Sequence, residues 1–405
     1  MNLRKQLFII AIMSLASLYA TFQSLAKTVD APSPHVFLLS AKALAAAKQR
    51  FHQHDPSLAP AIARLQRDAD KALTAGPFSV TTKEVTPPSG DKHDYMSQAP
   101  YFWPDPTKPN GLPYIRRDGE RNPEIEKINN HRVKDQMENA VETLALGYYF
   151  FENEVYARKA TELLRVFFLE PATRMNPNLQ FAQGIPGINT GRGIGLIETR
   201  GLTRVVDAVG LLAGAKAWTV ADRRGLEEWF GKFLQWMQES KNGRDESAAK
   251  NNHGTYYDVQ VVSFALFLGK TELARDVLLT ARSKRIALQI EPDGRQPLEL
   301  VRTKAWSYSC GNLDGLMLLA RLGENVGVDL WNYQTPDGRS IRKALDFLVP
   351  FALGQKWTYQ QLGEWPPQQL FPLIRRAAQR YSDNEMKLVF DKLPPVEASD
   401  RNRLL

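Results

Sequence analysis

Apolar residues recur every three or four positions over most of the chain after residue 130. This spacing is typical of the buried face of an amphipathic helix. One such face consists of Met137, Ala140, Val141, Leu144, Ala145 and Tyr148. Comparable patterns predict helices over 160–168, 226–237 and 273–281, and further helices over 312–322, 340–353, 367–380 and 383–391.

One segment, from Val259 to Leu268, is apolar on nearly every side, which predicts a helix buried all round, with Gly269 as its stop. Buried helices that alternate with half-exposed ones favour helical hairpins wound into a ring. We therefore predict an all-α fold, an (α/α) toroid or barrel. No clear repeat in the sequence defines the number of hairpins.

Three segments depart from the helical pattern. Residues 77–130 are rich in Pro, Gly, Asp, Asn and aromatic residues, and residues 181–201 form a second glycine-rich connection. Loops this long inside a compact domain are usually functional or disordered, and the aromatic content argues against disorder. Residues 285–300 are predicted to form a long turn or a short hairpin around Asp293 and Gly294.

Residues 1–26 have the layout of a secretory signal peptide. Arg4 and Lys5 precede the apolar run LFIIAIMSLASLYA, and Ser24-Leu25-Ala26 ends in a small-x-small pattern. The run is short for a membrane anchor, and no other segment is long and apolar enough to span a bilayer. We therefore expect a periplasmic or secreted protein with a single catalytic domain over residues 27–405.

Charge and composition narrow the possible ligands. The net charge of +8 falls to +6 once Arg4 and Lys5 leave with the signal peptide, a balance that suits an anionic ligand. No block of basic residues interleaved with aromatics indicates nucleic acid. With one cysteine, Cys310, and six histidines the chain has no intramolecular disulfide and little material for a metal cluster.

Two polar segments precede apolar helices and carry groups that are able to move protons. KNNHGTYYDVQ contains Asn252 and His253, and RTKAWSYSCGNLDG, about 50 residues later, contains Arg302 and Tyr308. In a toroid the loops that enter successive inner helices share one rim. We therefore expect an amide, an imidazole, a guanidinium and a phenol to meet across a cleft.

These four groups suit removal of the C5 proton of a uronic acid followed by loss of the 4-linked sugar. Donors from Asn and Arg would stabilise the enolate-like dianion that forms next to the carboxylate. Histidine, with an ordinary pKa of ~6.5, is able to act as a base directly, whereas tyrosine, at ~10, needs a nearby positive charge to lower its pKa. No metal or organic cofactor is expected.

Each residue also has a plain structural interpretation. A histidine at a helix start is often a cap, Tyr308 is by default an aromatic at the rim, and Arg302 is by default a surface charge. Tyr256 and Tyr257 are expected to pack. Asp258 and Asp314 are expected to serve structure rather than proton transfer.

The segments NNHGTYYDVQ, KHDYMSQAPYFWPDP, GLPYIRRDGERNPE and RTKAWSYS together resemble the alginate lyase superfamily, most closely polysaccharide lyase family 38, whose members cleave alginate or glucuronan. The resemblance spans roughly residues 80–380. It implies an (α/α) toroid of seven hairpins and β-elimination chemistry.

Residue by residue, the resemblance implies that Tyr308 is the acid and base and that His253 is a second base or assists the tyrosine. It also implies that Arg302 is the arginine of the site and that Asn252 neutralises the substrate carboxylate. Glu246 falls where this branch places an acidic group near that carboxylate. There it would help only if protonated, which requires a raised pKa; the alternative is a solvated loop acid.

The two long loops then supply candidates for substrate contacts. His93, Tyr95, Tyr101 and Trp103 are expected to stack on sugar rings or hydrogen-bond to them, although Trp103 is equally well explained by loop packing. Bidentate contact with neighbouring uronates suits arginine better than lysine. The candidates for this contact are Arg116, Arg117, Arg192 and Arg200.

The sequence thus predicts a polysaccharide lyase acting on a 1,4-linked polyuronate, with alginate as first substrate and glucuronan as second. Two alternative functions stay open. The first is a helical-barrel glycoside hydrolase, which needs a pair of catalytic carboxyl groups among acids such as Glu246, Asp258 and Asp314. The second is a protein that binds polyuronate without cleaving it. The expected partner is an anionic polysaccharide. The preferred epimer, endo or exo action and the oligomeric state do not follow from the sequence.

Overall fold

Helices make up most of residues 34–405, the part of the chain that the computed structural model describes. The α-helices are α1 (Ala41–His52), α2 (Ala59–Ala72), α3 (Asn130–Phe151), α4 (Glu154–Leu164), α5 (Leu202–Leu211), α6 (Val220–Glu239), α7 (Lys241–Ser247), α8 (Asn252–Phe267), α9 (Thr271–Ala281), α10 (Pro297–Leu300), α11 (Ala305–Gly323), α12 (Ile341–Ala352), α13 (Phe371–Ala378) and α14 (Asn384–Asp391). The strands are β1 (Met96–Gln98), β2 (Phe102–Trp103), β3 (Ile115–Arg116) and β4 (Phe181–Gly184).

The helices form two layers around a central cleft, the arrangement of an (α/α) toroid. Helices α3, α5, α8, α11 and α13 contribute residues to the cleft wall. On the outside, α2 and α4 pack on α3, α6 and α9 pack on α8, and α12 packs on α11. The predicted all-α toroid is confirmed, and the predicted number of seven hairpins stays a prediction.

Helix α8 is the element that the apolar run 259–268 predicted, and it is buried over almost its whole length. It contacts α5, α6, α9 and α11, so most of its surface is covered by other helices. Gly269 follows with φ of 69°, a left-handed conformation that favours glycine and ends the helix. The most polar cluster of the sequence therefore lies at the start of one of the most rigidly held helices.

The predicted helices over 312–322, 340–353 and 383–391 correspond to α11, α12 and α14. The predicted helix over 367–380 begins instead with a 3-10 turn, Pro367–Leu370, ahead of α13. Residues 285–300 were expected to form a long turn or a short hairpin. They contain the end of a π-helix, a turn at Gly294 and α10, so the turn is present and the hairpin is not.

The two long connections are ordered against each other. Strand β1 pairs in parallel with β4, which joins residues 77–130 to residues 181–201, and β2 pairs antiparallel with β3. Both connections contribute side chains to the cleft wall, among them Tyr101 and Arg192.

Residues 35–405 form one compact unit. The predicted signal peptide, residues 1–26, and the predicted start of the catalytic domain at residue 27 lie outside the described residues. Across residues 34–405, none of the helices combines the length and the apolar character needed to cross a membrane.

Candidate active site

The central cleft has a volume of about 2200 Å³. Asn252 and His253 at the start of α8 line it, and so do Arg302 and Tyr308, which lie just before and within the first turn of α11. The structure therefore brings together the two segments that the sequence placed on a shared rim.

The start of α8 is held by two side chains. The side chain of Asn251 accepts a hydrogen bond from the backbone N–H of His253, which is an ordinary N-cap. The backbone N–H of Asn252 donates to Glu299 Oε1 over 2.6 Å, and Asn252 Nδ2 contacts Glu299 Oε1 and Oε2 at 3.0 and 2.8 Å. Burial raises the pKa of Glu299, and the hydrogen bonds from Asn252 offset part of this rise. Glu299 thus fixes the amide that faces the cleft.

Glu246 lies behind His253 rather than in the cleft. His253 Nδ1 lies 2.8 Å from Glu246 Oε1, and the Glu246 side chain is only 1% exposed. A carboxylate accepts here, so Nδ1 carries the hydrogen and Nε2 keeps its lone pair. Glu246 is thus one residue away from the cleft, and that it lies near the substrate carboxylate stays a prediction. It is a positioning residue that sets the tautomer and orientation of His253.

A buried ion pair supports the turn between Glu246 and His253. Arg285 Nε and Nη2 lie 2.7 and 3.0 Å from the two carboxylate oxygens of Asp258, and the same guanidinium donates to the carbonyls of Ser247 and Ala249. Gly254 lies against it, since a Cβ there would come within 2.3 Å of Arg285 Nη1. Asp258 thus has the structural part that the sequence indicated.

Arg302 is oriented by Asp118, which belongs to the aromatic loop. Arg302 Nε and Nη2 contact the two Asp118 oxygens at 3.1 and 2.8 Å, and Thr303 also donates to Asp118. Burial alone would raise the pKa of Asp118, but the hydrogen bonds from Arg302 and Thr303 outweigh it and hold this pKa well below its usual range. Asp118 is therefore a permanent anion beside a permanent cation.

Tyr308 lies directly against this guanidinium, with the Arg302 Cζ 3.7 Å from its ring centroid. Its hydroxyl donates to the Tyr101 hydroxyl over 3.1 Å. Burial raises the pKa of Tyr308 well above its usual range, the hydrogen bond with Tyr101 raises it further, and Arg302 offsets only part of this rise. Arg302 does favour ionisation of Tyr308, as expected, but burial and Tyr101 outweigh it. The net shift of the pKa is upward, and Tyr308 is held as a neutral phenol.

Among the loop arginines, Arg116, Arg192 and Arg200 line the cleft. Arg192 is held by Gln183, whose side-chain oxygen accepts from Arg192 Nη2 over 2.9 Å. Gln183 has φ of 50°, a conformation that is uncommon for residues other than glycine. Arg117 is not part of the cleft wall and stacks on Trp103 at 5.3 Å from the ring centroid.

Three of the four aromatic-loop candidates do not reach the cleft, whereas Tyr101 does. Tyr95 is fully buried and donates to Glu198, so the expectation that it contacts sugar rings is wrong. His93 Nδ1 contacts the Arg174 carbonyl, and Trp103 Nε1 donates to the Glu120 carbonyl. These two contacts serve to pack the loop.

The sequence did not single out Asp118, Glu299, Gln183 or Arg376, all of which contact or flank the site. Asp118 stands in the quoted segment GLPYIRRDGERNPE, directly after the arginine pair, and Glu299 stands three residues before Arg302. Their positions next to motif residues were the only indication in the sequence that these two acids belong to the site. Neither position reveals which side chain the acid contacts. In residues 34–405 no group of three or more His, Cys, Asp or Glu side chains is arranged to hold a metal ion.

Comparison with known proteins identifies relatives of this architecture. The family model described as alginate lyase matches residues 79–358. The crystal structure of an alginate lyase from Bacteroides ovatus shares 42% sequence identity, covers 92% of this chain and 98% of its own, and superposes with a TM-score of 0.88. No curated protein sequence matches the chain.

Two more distant structures share the fold. One is an alanine variant of alginate lyase A1-III complexed with a tetrasaccharide, at 17% identity and a TM-score of 0.55, and it covers 89% of this chain and 93% of its own. The other is alginate lyase A1-III from Sphingomonas species A1, at 16% identity and a TM-score of 0.51 with the same coverage. At these identities the likeness supports the fold alone.

Proposed function

The chain belongs to the alginate lyase family and is a polysaccharide lyase, and from this premise we propose that it cleaves alginate by β-elimination. The cut would leave a 4,5-unsaturated uronate at the new non-reducing end. One observation carries the proposal: a single cleft presents the imidazole of His253, the phenol of Tyr308, the guanidinium of Arg302 and the amide of Asn252.

The first requirement of the reaction is to stabilise charge at the substrate carboxylate. When C5 loses its proton, the carboxylate becomes an enolate-like dianion. Arg302 is already oriented by Asp118 through Nε and Nη2, which leaves Nη1 for this charge. Preorganised donors of this kind contribute more than donors that must first be moved into place. Asn252 Nδ2 is engaged with both Glu299 oxygens, so Asn252 would have to exchange this contact for one with the substrate.

His253 is the group best prepared to take the C5 proton. Its Nδ1–H is held by Glu246, and its Nε2 lone pair is available on the opposite side of the ring. The electron pair of the C5–H bond becomes the C4=C5 double bond, and the C4–O bond breaks. The proton passes to Nε2, and Glu246 stabilises the imidazolium that results.

Tyr308 is the group best prepared to protonate the departing sugar. Its raised pKa keeps the hydroxyl protonated, so it is able to donate to the glycosidic oxygen as the C4–O bond breaks. The same shift opposes its use as the initial base. This division of labour differs from the resemblance, which assigned both roles to the tyrosine.

Alginate is the first substrate because the structure at 42% identity is described as an alginate lyase. Glucuronan is the second, since it is also a 1,4-linked polyuronate with a carboxylate at C5. Arg116, Arg192 and Arg200 in the cleft wall suit both polymers equally.

The test is ultraviolet absorbance during incubation with polymannuronate, polyguluronate and glucuronan. We expect the absorbance of the new C4=C5 bond to rise on at least one alginate polymer. A rise on glucuronan alone would replace the first substrate by the second. New reducing ends without a rise in absorbance would indicate hydrolysis and overturn the proposal.

The hydrolase alternative finds little support in the site. The three acids that the sequence offered for a hydrolase are all engaged: Glu246 with His253, Asp258 with Arg285, and Asp314 with Arg376 and Tyr256. A hydrolase needs one carboxyl to donate a proton and another to attack or to activate water. None of these three has that freedom.

A periplasmic or secreted location is proposed from the sequence of residues 1–26 alone. A fusion of these residues to a reporter that is active only after export would test it. Retention of the reporter in the cytoplasm would contradict the proposal.

Glu246→Gln is expected to lower kcat about 100-fold and to leave KM within about threefold, because general-base catalysis supplies about 10²–10⁴-fold. A neutral amide does not stabilise the imidazolium, and its NH₂ group favours the wrong tautomer of His253. Steady-state kinetics on the best polymer would measure the effect. Glu272→Gln, which removes an exposed carboxylate from α9, is the matched control. Equal kcat values for the two variants would show that Glu246 does not act through His253.

A further inference from the structure

A group of buried polar side chains lies behind the cleft wall, between α8 and α11. Its members are Thr255 on α8, Asn312 on α11, and Gln289 and Gln296 from the segment that precedes α10. All four side chains are buried, and none of the four lines the cleft. We call these four residues the amide network. They are therefore not placed to contact a substrate.

Asn312 is the centre of the amide network. Its Nδ2 donates to Gln289 Oε1 over 2.9 Å and to Gln296 Oε1 over 2.8 Å. The Thr255 hydroxyl lies 2.9 Å from Gln289 Oε1 and 2.8 Å from Asn312 Oδ1, and its single hydrogen is donated to one of these oxygens. Both hydrogens of the Asn312 amide are thus used, and the same side chains join α8 to α11.

The two ends of the amide network reach the backbone beside the proposed base and the proposed acid. Gln289 Nε2 donates over 3.3 Å to the carbonyl of Asn251, two residues before the base. Gln296 Nε2 donates over 3.1 Å to the carbonyl of Ser309, which directly follows the acid. A continuous series of hydrogen bonds therefore connects the start of α8 with the first turns of α11.

The segment that supplies the two glutamines also holds a third side chain of the site. Gln296 directly precedes α10, and α10 contains Glu299, which accepts from Asn252. Helices α8 and α11 approach closely at the network, since a Cβ on Gly315 would come within 2.9 Å of Thr255 Cγ2. The spacing of the two helices is therefore set where the amides lie.

Stability alone does not explain why these positions are polar. Burying an amide costs free energy unless it is hydrogen-bonded, and apolar side chains of the same shape would fill the space at similar stability. Hydrogen bonds are directional, however, so a fully bonded network permits one position of α8 along α11, whereas apolar contacts permit small shifts. A misplacement of about 1 Å is enough to lower a rate about 100-fold.

We propose that the amide network is a set of positioning residues that hold His253 and Tyr308 at the separation the elimination requires. This inference rests on the proposed function. The base takes a proton from C5 and the acid protonates the oxygen on C4, so both must reach adjacent positions of one sugar ring. The network sets their separation from behind, because it joins the carbonyl before the base to the carbonyl after the acid.

The test is an apolar variant that carries Thr255→Val, Gln289→Met, Gln296→Met and Asn312→Leu together. No side chain of the network is then left unpaired, and the carbonyl of Asn251 keeps the backbone N–H of Thr255 as its donor. We therefore expect a melting temperature within about 5 °C of wild type. We expect kcat to fall about 100-fold and KM to stay within about threefold, because the residues of the cleft wall are unchanged. Circular dichroism and steady-state kinetics on the best polymer measure these effects.

Thr199→Val combined with Gln260→Met is the matched control. Thr199 Oγ1 donates to Gln260 Oε1 over 2.8 Å, and both side chains are buried. This contact joins α8 to the segment before α5 rather than to α11. We expect a kcat within about threefold of wild type, since the base and the acid keep their separation. Equal kcat values for the apolar variant and the control would overturn the inference.

Asn312→Leu alone distinguishes positioning from stability. It leaves Gln296 Oε1 buried without its donor, so this variant should melt below the apolar variant. Both variants are expected to lose kcat at temperatures where they are folded. A network that served stability alone would lower the melting temperature and leave kcat of the folded protein unchanged. That result would also overturn the inference.

Hydrogen exchange without substrate separates this inference from the proposed function. We expect the backbone amides of residues 251–256 and 305–310 to exchange about tenfold faster in the apolar variant than in the control. If the wild type produces no unsaturated ends from any polymer, elimination fails, but exchange still tests the network. Faster exchange at both helix starts would support its positioning part. Equal exchange in the two variants would exclude it.

Discussion

Tyr308→Phe is expected to lower kcat for β-elimination about 1000-fold, since a positioned general acid contributes about 10²–10⁴-fold. Phenylalanine keeps the aromatic ring against Arg302 and removes only the hydroxyl, which donates to the Tyr101 hydroxyl. The departing sugar would then have to leave as an alkoxide or take a proton from water. The fold should be unchanged, because one hydrogen bond between two hydroxyl groups is lost.

The measurement is the initial rise in ultraviolet absorbance at saturating polymer, with circular dichroism to verify folding. Tyr148→Phe is the control, because Tyr148 lies on α3 and is not among the residues of the cleft wall. Tyr101→Phe should have an intermediate effect, since Tyr308 keeps its proton but loses a partner. If Tyr308→Phe retains a kcat within tenfold of wild type, another group is the acid.

Arg285→Met is expected to reduce the free energy of unfolding by about 3–5 kcal/mol, the usual cost of removing one partner of a buried ion pair. Asp258 would be left as a buried charge, and the carbonyls of Ser247 and Ala249 would lose their donor. Burial already raises the pKa of Asp258, and Arg285 is the main group that opposes this shift. Activity should also decrease at denaturant concentrations too low to unfold the protein, because the freed carbonyls lie between Glu246 and His253.

Denaturant unfolding followed by tryptophan fluorescence would measure this loss. The double variant Arg285→Met with Asp258→Leu is the informative comparison, because replacing both charges by apolar groups removes the unpaired carboxylate. We expect the double variant to be more stable than Arg285→Met alone. Equal stability of Arg285→Met and wild type would show that the ion pair does not support the turn.

Much of the fold followed from hydrophobic periodicity, and the exceptions share a cause. Helix α8 was predictable because its residues are apolar all round. Helix α7 was not, because its buried residues are Asn242, Gly243 and Glu246 and have no apolar pattern. Their burial depends on contacts with other segments, which local sequence does not report.

The candidate site divides in the same way. The types of residue in NNHG and RTKAWSYS indicated proton transfer beside a carboxylate before any geometry was known. The direction in which each side chain points was not predictable. Tyr95 and Tyr101 lie six residues apart in one aromatic loop, yet Tyr95 is buried against Glu198 and Tyr101 reaches Tyr308. An aromatic ring in a loop is equally suited to a core and to a cleft.

The sequence by itself determined the helical architecture and the family, and it predicted that Asn252, His253, Arg302 and Tyr308 lie in one cleft. Periodicity and local motifs are properties of neighbouring residues, so one chain is enough to reveal them. Only the tertiary structure decided that Glu246 orients His253, that Tyr308 is held as a neutral acid and that Arg376 faces the cleft. These outcomes depend on burial and on partners distant in the chain, because burial and charge at a site are set by the segments that fold around it.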